Sequence, residues 1–229
     1  YYIFNEHGQM LYEWINNNKH VTHASNAQLD NEDYRGQASA ADMLYYNVVE
    51  DGSRANGWQE IDGSISMDAD SDTDWYYIDD GEITHAELGD DTAVNVMDGD
   101  DTVTRMRKKI KDSGNKYFCF NEKGQMQTGL QYVNEDNGFF YFDENGYQED
   151  GRVASVECED ADYTFYFNTS NGKNGLGYTG EKDNYLYFNG KRLEADDDYR
   201  FYYVADKVYL VNTQGKIQKA KDGNDYDDI

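Results

Sequence analysis

The amino-acid sequence predicts an all-β protein, an elongated β-hairpin solenoid of about ten tandem repeats of roughly 20–25 residues. Three observations predict it. A short aromatic or β-branched run, followed by Asn or Asp and then by Gly, recurs along the whole chain. Aromatic residues make up 15% of the 229 residues (22 Tyr, 10 Phe, 3 Trp), which overrules the disorder that low hydrophobicity and a net charge of −26 would suggest. Proline is absent while glycine occurs 21 times, so Gly, Asn and Asp must end the elements.

Taken in order, the phrase reads Tyr1-Tyr2-Ile3-Phe4-Asn5 with Gly8, Tyr45-Tyr46-Asn47-Val48 with Gly52, and Trp75-Tyr76-Tyr77-Ile78-Asp79 with Gly81. It returns as Tyr117 to Asn121 with Gly124, Phe139 to Asp143 with Gly146, Phe165 to Asn168 with Gly172, Tyr185 to Asn189 with Gly190, and Val208 to Asn212 with Gly215. A degenerate copy lies at Val94 to Asp98 with Gly99. From Met97 onward the last apolar residues of the phrases are about 23 apart, and the gap from Phe4 to Val48 fits two units. Residues 1–229 therefore read as a single repeat array, with degenerate repeats and irregular inserts over 1–116 and regular repeats over 117–229.

Each unit has a physical reading. Four or five β-branched and aromatic residues before Asn/Asp and Gly predict a strand entering a tight turn. A second, weaker strand follows, as in Gly124 to Leu130. One hairpin alone is marginal in water. The strand is apolar on both faces: Phe120/Phe118, Phe142/Phe140 and Phe188/Leu186 on one, Tyr141/Phe139, Tyr187/Tyr185 and Tyr77/Trp75 on the other. Such a strand needs cover on both sides, which stacked neighbours supply. Residues 19–42 fit the pattern poorly; Ser25 to Gln28 and Ala38 to Ala41 leave a short helix or an irregular insert open. Residues 84–116 are Asp-rich and then basic.

Gly57-Trp58-Gln59-Glu60-Ile61-Asp62-Gly63, followed by Trp75-Tyr76-Tyr77-Ile78-Asp79, resembles the choline-binding, or cell-wall-binding, repeat of Gram-positive surface proteins. Asn121 to Leu130 is similar to that family's turn and second strand, with Leu130 where the family has Trp. Related repeats occur in glucan-binding domains of glucansucrases and in receptor-binding repeats of clostridial toxins. The resemblance covers about two thirds of the chain, is strongest over 117–220, and is weak at 19–42 and 84–116. It implies ligand sites between consecutive hairpins, where electron-rich ring faces attract a quaternary ammonium group. Carried over residue by residue, it implies an aromatic cage of Trp58, Trp75 and Tyr77, with secondary ligand-binding positions at Phe139, Tyr141, Tyr185 and Tyr187. Leu130 and Leu176 replace Trp in two units, so the same aromatics also read as staples between hairpins.

Charge bounds the partners. With 46 acidic against 20 basic residues, the chain is unsuited to nucleic acid or to an anionic membrane surface. No apolar run is long enough for membrane insertion. Asp68, Asp70, Asp72 and Asp74 alternate as calcium ligands do, but Thr73 and Asp79 stand where an EF-hand loop needs Gly and Glu, so a solvated acidic loop is the preferred reading. Asp98, Asp100, Asp101 and the run Asp196 to Asp198 read the same way. Arg105, Arg107, Lys108, Lys109 and Lys111 read as an exposed strand face compensating acidic loops, or as a contact for an anionic wall polymer. His20 and His23 lack a third ligand, so no metal is assigned. Cys119 and Cys158 are expected as buried free thiols rather than a bridge.

No nucleophile elbow, zinc-protease helix or phosphate loop is present, and no cofactor is implied. The expectation is a non-catalytic cell-wall or carbohydrate-binding module, extracellular at the bacterial cell wall or surface. Its expected partner is a choline-decorated teichoic acid or a glycan. The rival is a structural spacer or protein-adhesion array with no small-molecule ligand. The opening Tyr1-Tyr2-Ile3-Phe4 lacks an initiator Met, so a processed chain or an excised fragment is expected.

Overall fold

The computed structural model describes residues 1–16, 35–69, 73–87, 104–158, 161–170 and 172–219. The described strands form six small sheets, and every pairing in them is antiparallel. The chain divides into two compact units, the described residues up to 127 and those from 128 onward. His20, His23, Ser25 to Gln28, Asp70, Asp72, the degenerate copy at Val94 to Asp98, and Asp100 and Asp101 lie outside the described residues.

In the first unit, Ile3–Phe4 pairs with Met10–Leu11. A five-stranded sheet then runs in the order Glu13–Asn16, Met43–Tyr46, Glu82–Ile83, Thr73–Asp79, Gly57–Asp62. A three-stranded meander follows, Arg105–Ile110 beside Lys116–Asn121 beside Met126–Gln127. The second unit holds the meander Gly129–Val133, Gly138–Phe142, Gln148–Glu149. Next comes a five-stranded sheet in the order Gly151–Cys158, Ala161–Phe167, Lys191–Arg192, Tyr185–Phe188, Gly180–Lys182, and finally the meander Tyr199–Val204, Lys207–Asn212, Ile217–Gln218.

The aromatic strands and their short partners stand where the repeat predicts them. Most units carry one strand more than a hairpin, because a longer strand also precedes the aromatic one. The basic run Arg105 to Lys111 supplies such a strand, with Lys108 and Lys109 exposed. Of the two faces expected of each strand, Phe118, Phe120, Phe140, Phe142 and Leu186 are buried. Phe188 corrects the pattern: it is 50% exposed, since its strand ends there in the Asn189-Gly190 turn. Val48 is likewise exposed, because the strand stops at Tyr46 and Asn47 opens a longer turn. Ala40–Asp42 is one 3-10 turn rather than a longer helix.

Two kinds of turn account for the recurring phrase. At Asn5, Asn121, Asp143 and Asn212 the side-chain Oδ1 accepts from the backbone N–H two and four residues on, at 2.7–3.0 Å. The glycine three residues on (Gly8, Gly124, Gly146, Gly215) donates back to the same residue's carbonyl with φ between 75° and 87°. At Asp80-Gly81, Asp183-Asn184, Asn189-Gly190 and Ala205-Asp206 two residues with positive φ join the strands directly, the type I′ geometry that suits strand twist. Cys119 and Cys158 are both buried and free, and burial pushes the Cys119 thiol up to about 12.

Candidate ligand-binding site

Strand alternation sets the site in the first unit. Gly57–Asp62 pairs with Thr73–Asp79 so that Trp58 faces Tyr77 and Glu60 faces Trp75. The three expected cage residues therefore share one face, and Tyr76 and Ile78 point to the other and are fully buried. Ring centroids lie 5.3 Å apart for Trp58 and Tyr77 and 6.4 Å apart for Trp58 and Trp75, both edge-to-face. Trp75 is 43% exposed; Trp58 and Tyr77 are half-buried.

The meander that follows completes the surroundings. Phe118 and Phe120 pack against Trp58 at 4.6 Å and 5.8 Å, the second nearly parallel to it. Trp58 Nε1 donates to Ser113 Oγ at 2.8 Å, and the Tyr77 hydroxyl donates to Asp112 at 3.2 Å. Desolvation, then the Asp112 hydrogen bond, raises the Tyr77 hydroxyl above its ordinary value. Ser113 and Asp112 carry no signal in the sequence, since only the strand register shows that their turn reaches the Trp58 face. Phe118 and Phe120 stand out in the sequence as repeat residues, without an indication of which ring they meet.

Elsewhere seven tyrosine rings lie under the chain's own cations, among them Tyr1 under Arg54 at 5.6 Å. Arg54 stands over Tyr46, Arg107 over Tyr117, Lys182 over Tyr166, Lys191 over Tyr163, Arg192 over Tyr185 and Arg200 over Tyr202, at 3.5–5.9 Å from the ring centres. Among the described residues no lysine or arginine stands over Trp58, Trp75 or Tyr77. Of the secondary positions, Phe139 and Tyr187 are buried, Tyr141 packs against Phe167, and Tyr185 lies beneath Arg192.

The acidic loop is partly described. Asp68 ends a 3-10 turn at φ 54° and pairs with Arg35 at 2.7 Å, which holds its carboxyl below the usual range. Asp74 accepts from Gln125. Among the described residues no three His, Cys, Asp or Glu side chains cluster as a metal would need. Of the basic run, Arg105 pairs with Glu122 at 3.2 Å and Lys108 donates to Thr84 at 3.1 Å.

No family model matches the chain, and no curated protein matches it. Among solved structures it is similar to choline binding protein F from Streptococcus pneumoniae, at 20% identity over 95% of this chain and 61% of that one, with a TM-score of 0.32. It is similar to the multimodular pneumococcal cell wall endolysin from phage Cp-1 complexed with choline, at 16% identity over 87% of this chain and 42% of that one, with a TM-score of 0.36. It is also similar to alternansucrase in complex with isomaltononaose, at 15% identity over 96% of this chain and 16% of that one, with a TM-score of 0.27. The chain spans about three fifths of the length of choline binding protein F.

Proposed function

We propose that this chain is a non-catalytic cell-wall-binding repeat module of the choline-binding type, from an extracellular bacterial surface protein. Trp58, Trp75 and Tyr77 hold a quaternary ammonium group, as on a choline-decorated teichoic acid. One observation carries the reading: these three rings converge on one face with no cation over them among the described residues, while seven tyrosine rings elsewhere already have one. A cation over an aromatic face gains about 0.5–2 kcal/mol, so three grouped rings without such cover offer an external cation more than a single ring does. The surrounding carboxylates, Asp112 at Tyr77 and Glu60 opposite Trp75, favour the same sign of ligand. On this reading the chain is a single repeat array, and within each unit the described hairpins stack as in a solenoid, each covering the one before. Within the units, contacts such as Gly124 against Ile83 and Gly215 against Arg192 support that stacking.

Equilibrium dialysis against labelled choline tests the ligand, and sedimentation with isolated choline-bearing walls tests the partner. The proposal expects saturable choline uptake, wall binding reversed by free choline, and loss of both in Trp75→Ala. Wall binding indifferent to choline would reject the quaternary ammonium site and leave glycan adhesion. A second reading, the structural spacer, is favoured by Trp58, which stacks on Phe120 and gives its N–H to Ser113. That reading expects no uptake at all.

A further inference from the structure

The second unit encloses a cleft of about 300 Å3, at the lower end of the size range of ligand sites. Glycine makes its walls close. A Cβ on Gly138 would stand 2.2 Å from Leu176 Cδ1, and one on Gly177 would stand 2.6 Å from the Asn189 carbonyl oxygen. Neither glycine has a positive φ; Gly177 is required by space because a Cβ there would meet backbone, whereas Gly138 meets only the end of the Leu176 side chain. The Gly177 N–H donates to the Phe139 carbonyl at 2.8 Å and ties the two sides together.

Polar groups with unused bonding capacity line this cleft. Asn137 accepts from the Tyr132 hydroxyl through Oδ1, which leaves its Nδ2. Asn168 donates Nδ2 to the Leu176 carbonyl at 2.7 Å, which leaves its Oδ1. Asn189 faces Thr179 with Oδ1 at 3.4 Å, which leaves its Nδ2. The Lys173 ammonium has no acceptor and no ring partner among the described residues. Charge points the same way: 46 of 229 residues are acidic, yet no lining residue is, and the one charged group is Lys173.

We propose that this cleft binds an anionic saccharide, a sugar ring bearing a carboxylate or a phosphate. Lys173 pairs with the anion, the three asparagine amides bond to ring hydroxyls, and the half-buried Tyr178 underlies the apolar C–H face of the ring. Among the residues lining the cleft no carboxylate opposes the anion, so the contact with Lys173 is not cancelled locally.

The test is titration of glucuronate, glucose phosphate and glucose into isotopically labelled protein at fixed ionic strength, following the side-chain amide signals of Asn137, Asn168 and Asn189. A charged sugar is expected to shift these signals saturably, and glucose about tenfold more weakly, the size of one charge-assisted hydrogen bond. Lys173→Gln lowers the affinity for the charged sugar to that of glucose, and Lys173→Arg restores it. Whichever charged sugar binds identifies the anion. No response to either charged sugar, or unchanged affinity in Lys173→Gln, overturns the proposal. The cleft shares no residue with Trp58, Trp75 and Tyr77, so this result stands or falls separately from choline binding.

Discussion

Trp58 and Trp75 sit diagonally across one hairpin, yet their surroundings give them different work. Trp58 is wedged against Phe118 and Phe120 and tethered to Ser113; Trp75 stands at the open edge with nearly half its surface in water. Trp58→Ala should therefore cost about 3 kcal/mol in urea unfolding, as loss of a packed aromatic does. Trp75→Ala should cost within about 1 kcal/mol, so it is the variant that separates binding from folding. Tyr45, buried beside Trp14, gives a pH prediction. Burial, reinforced by the charges of Glu13 and Asp62, pushes its hydroxyl up to about 12 from its ordinary value of 10.0. The unfolded chain releases this proton near pH 10.0 and the folded chain near 12, so the unfolded state binds fewer protons in between. Stability should be full below that window and fall as pH rises through it, as urea midpoints followed by near-ultraviolet circular dichroism would show.

At the scale of the element, the turn decides the repeat. Asn121 Oδ1 satisfies two backbone N–H groups, and the adjoining Gly124 lies where a Cβ would stand 2.3 Å from Ile83. Asn121→Ala should cost about 1–3 kcal/mol by orphaning those donors. Asp143→Asn keeps the same accepting oxygen and should stay within about 0.5 kcal/mol. Chemical denaturation of both variants checks the contrast. These turns are legible in the sequence because Asn or Asp at the first position and Gly at the fourth are each required by local geometry. The strands that precede the aromatic runs are not. Arg105–Ile110 is written in charged residues and is held by its pairing with Lys116–Asn121 rather than by any apolar pattern of its own. The order of the five-stranded sheet in the first unit is also invisible locally, since Glu13–Asn16 finds its partner Met43–Tyr46 across a long insert. Trp14, which packs on Tyr45 and Tyr76 and donates to the Asp62 carbonyl at 2.8 Å, was hidden for the same reason.

Across the whole molecule the dominant quantity is charge. A net −26 on 229 residues sets acidic loops against one another, and the arginines are largely spent on ion pairs and tyrosine faces. Raising sodium chloride from about 10 mM to about 150 mM shortens the screening length from roughly 30 Å to roughly 8 Å, and the melting temperature should rise accordingly. A melting temperature that falls with salt would mean that the ion pairs outweigh the self-repulsion. Composition makes the charge legible from the start; it leaves open which aromatic rings lie under the chain's own cations, because that depends on where the cations land in three dimensions. The same salt effect imposes a control on the most direct test of the account, a choline titration read by intrinsic tryptophan fluorescence against matched sodium chloride. Only Trp14, Trp58 and Trp75 report, and Trp14 is buried away from the cage. The account predicts a saturable change that sodium chloride does not reproduce and that Trp75→Ala abolishes in a folded protein. A response identical in choline and in sodium chloride would contradict it.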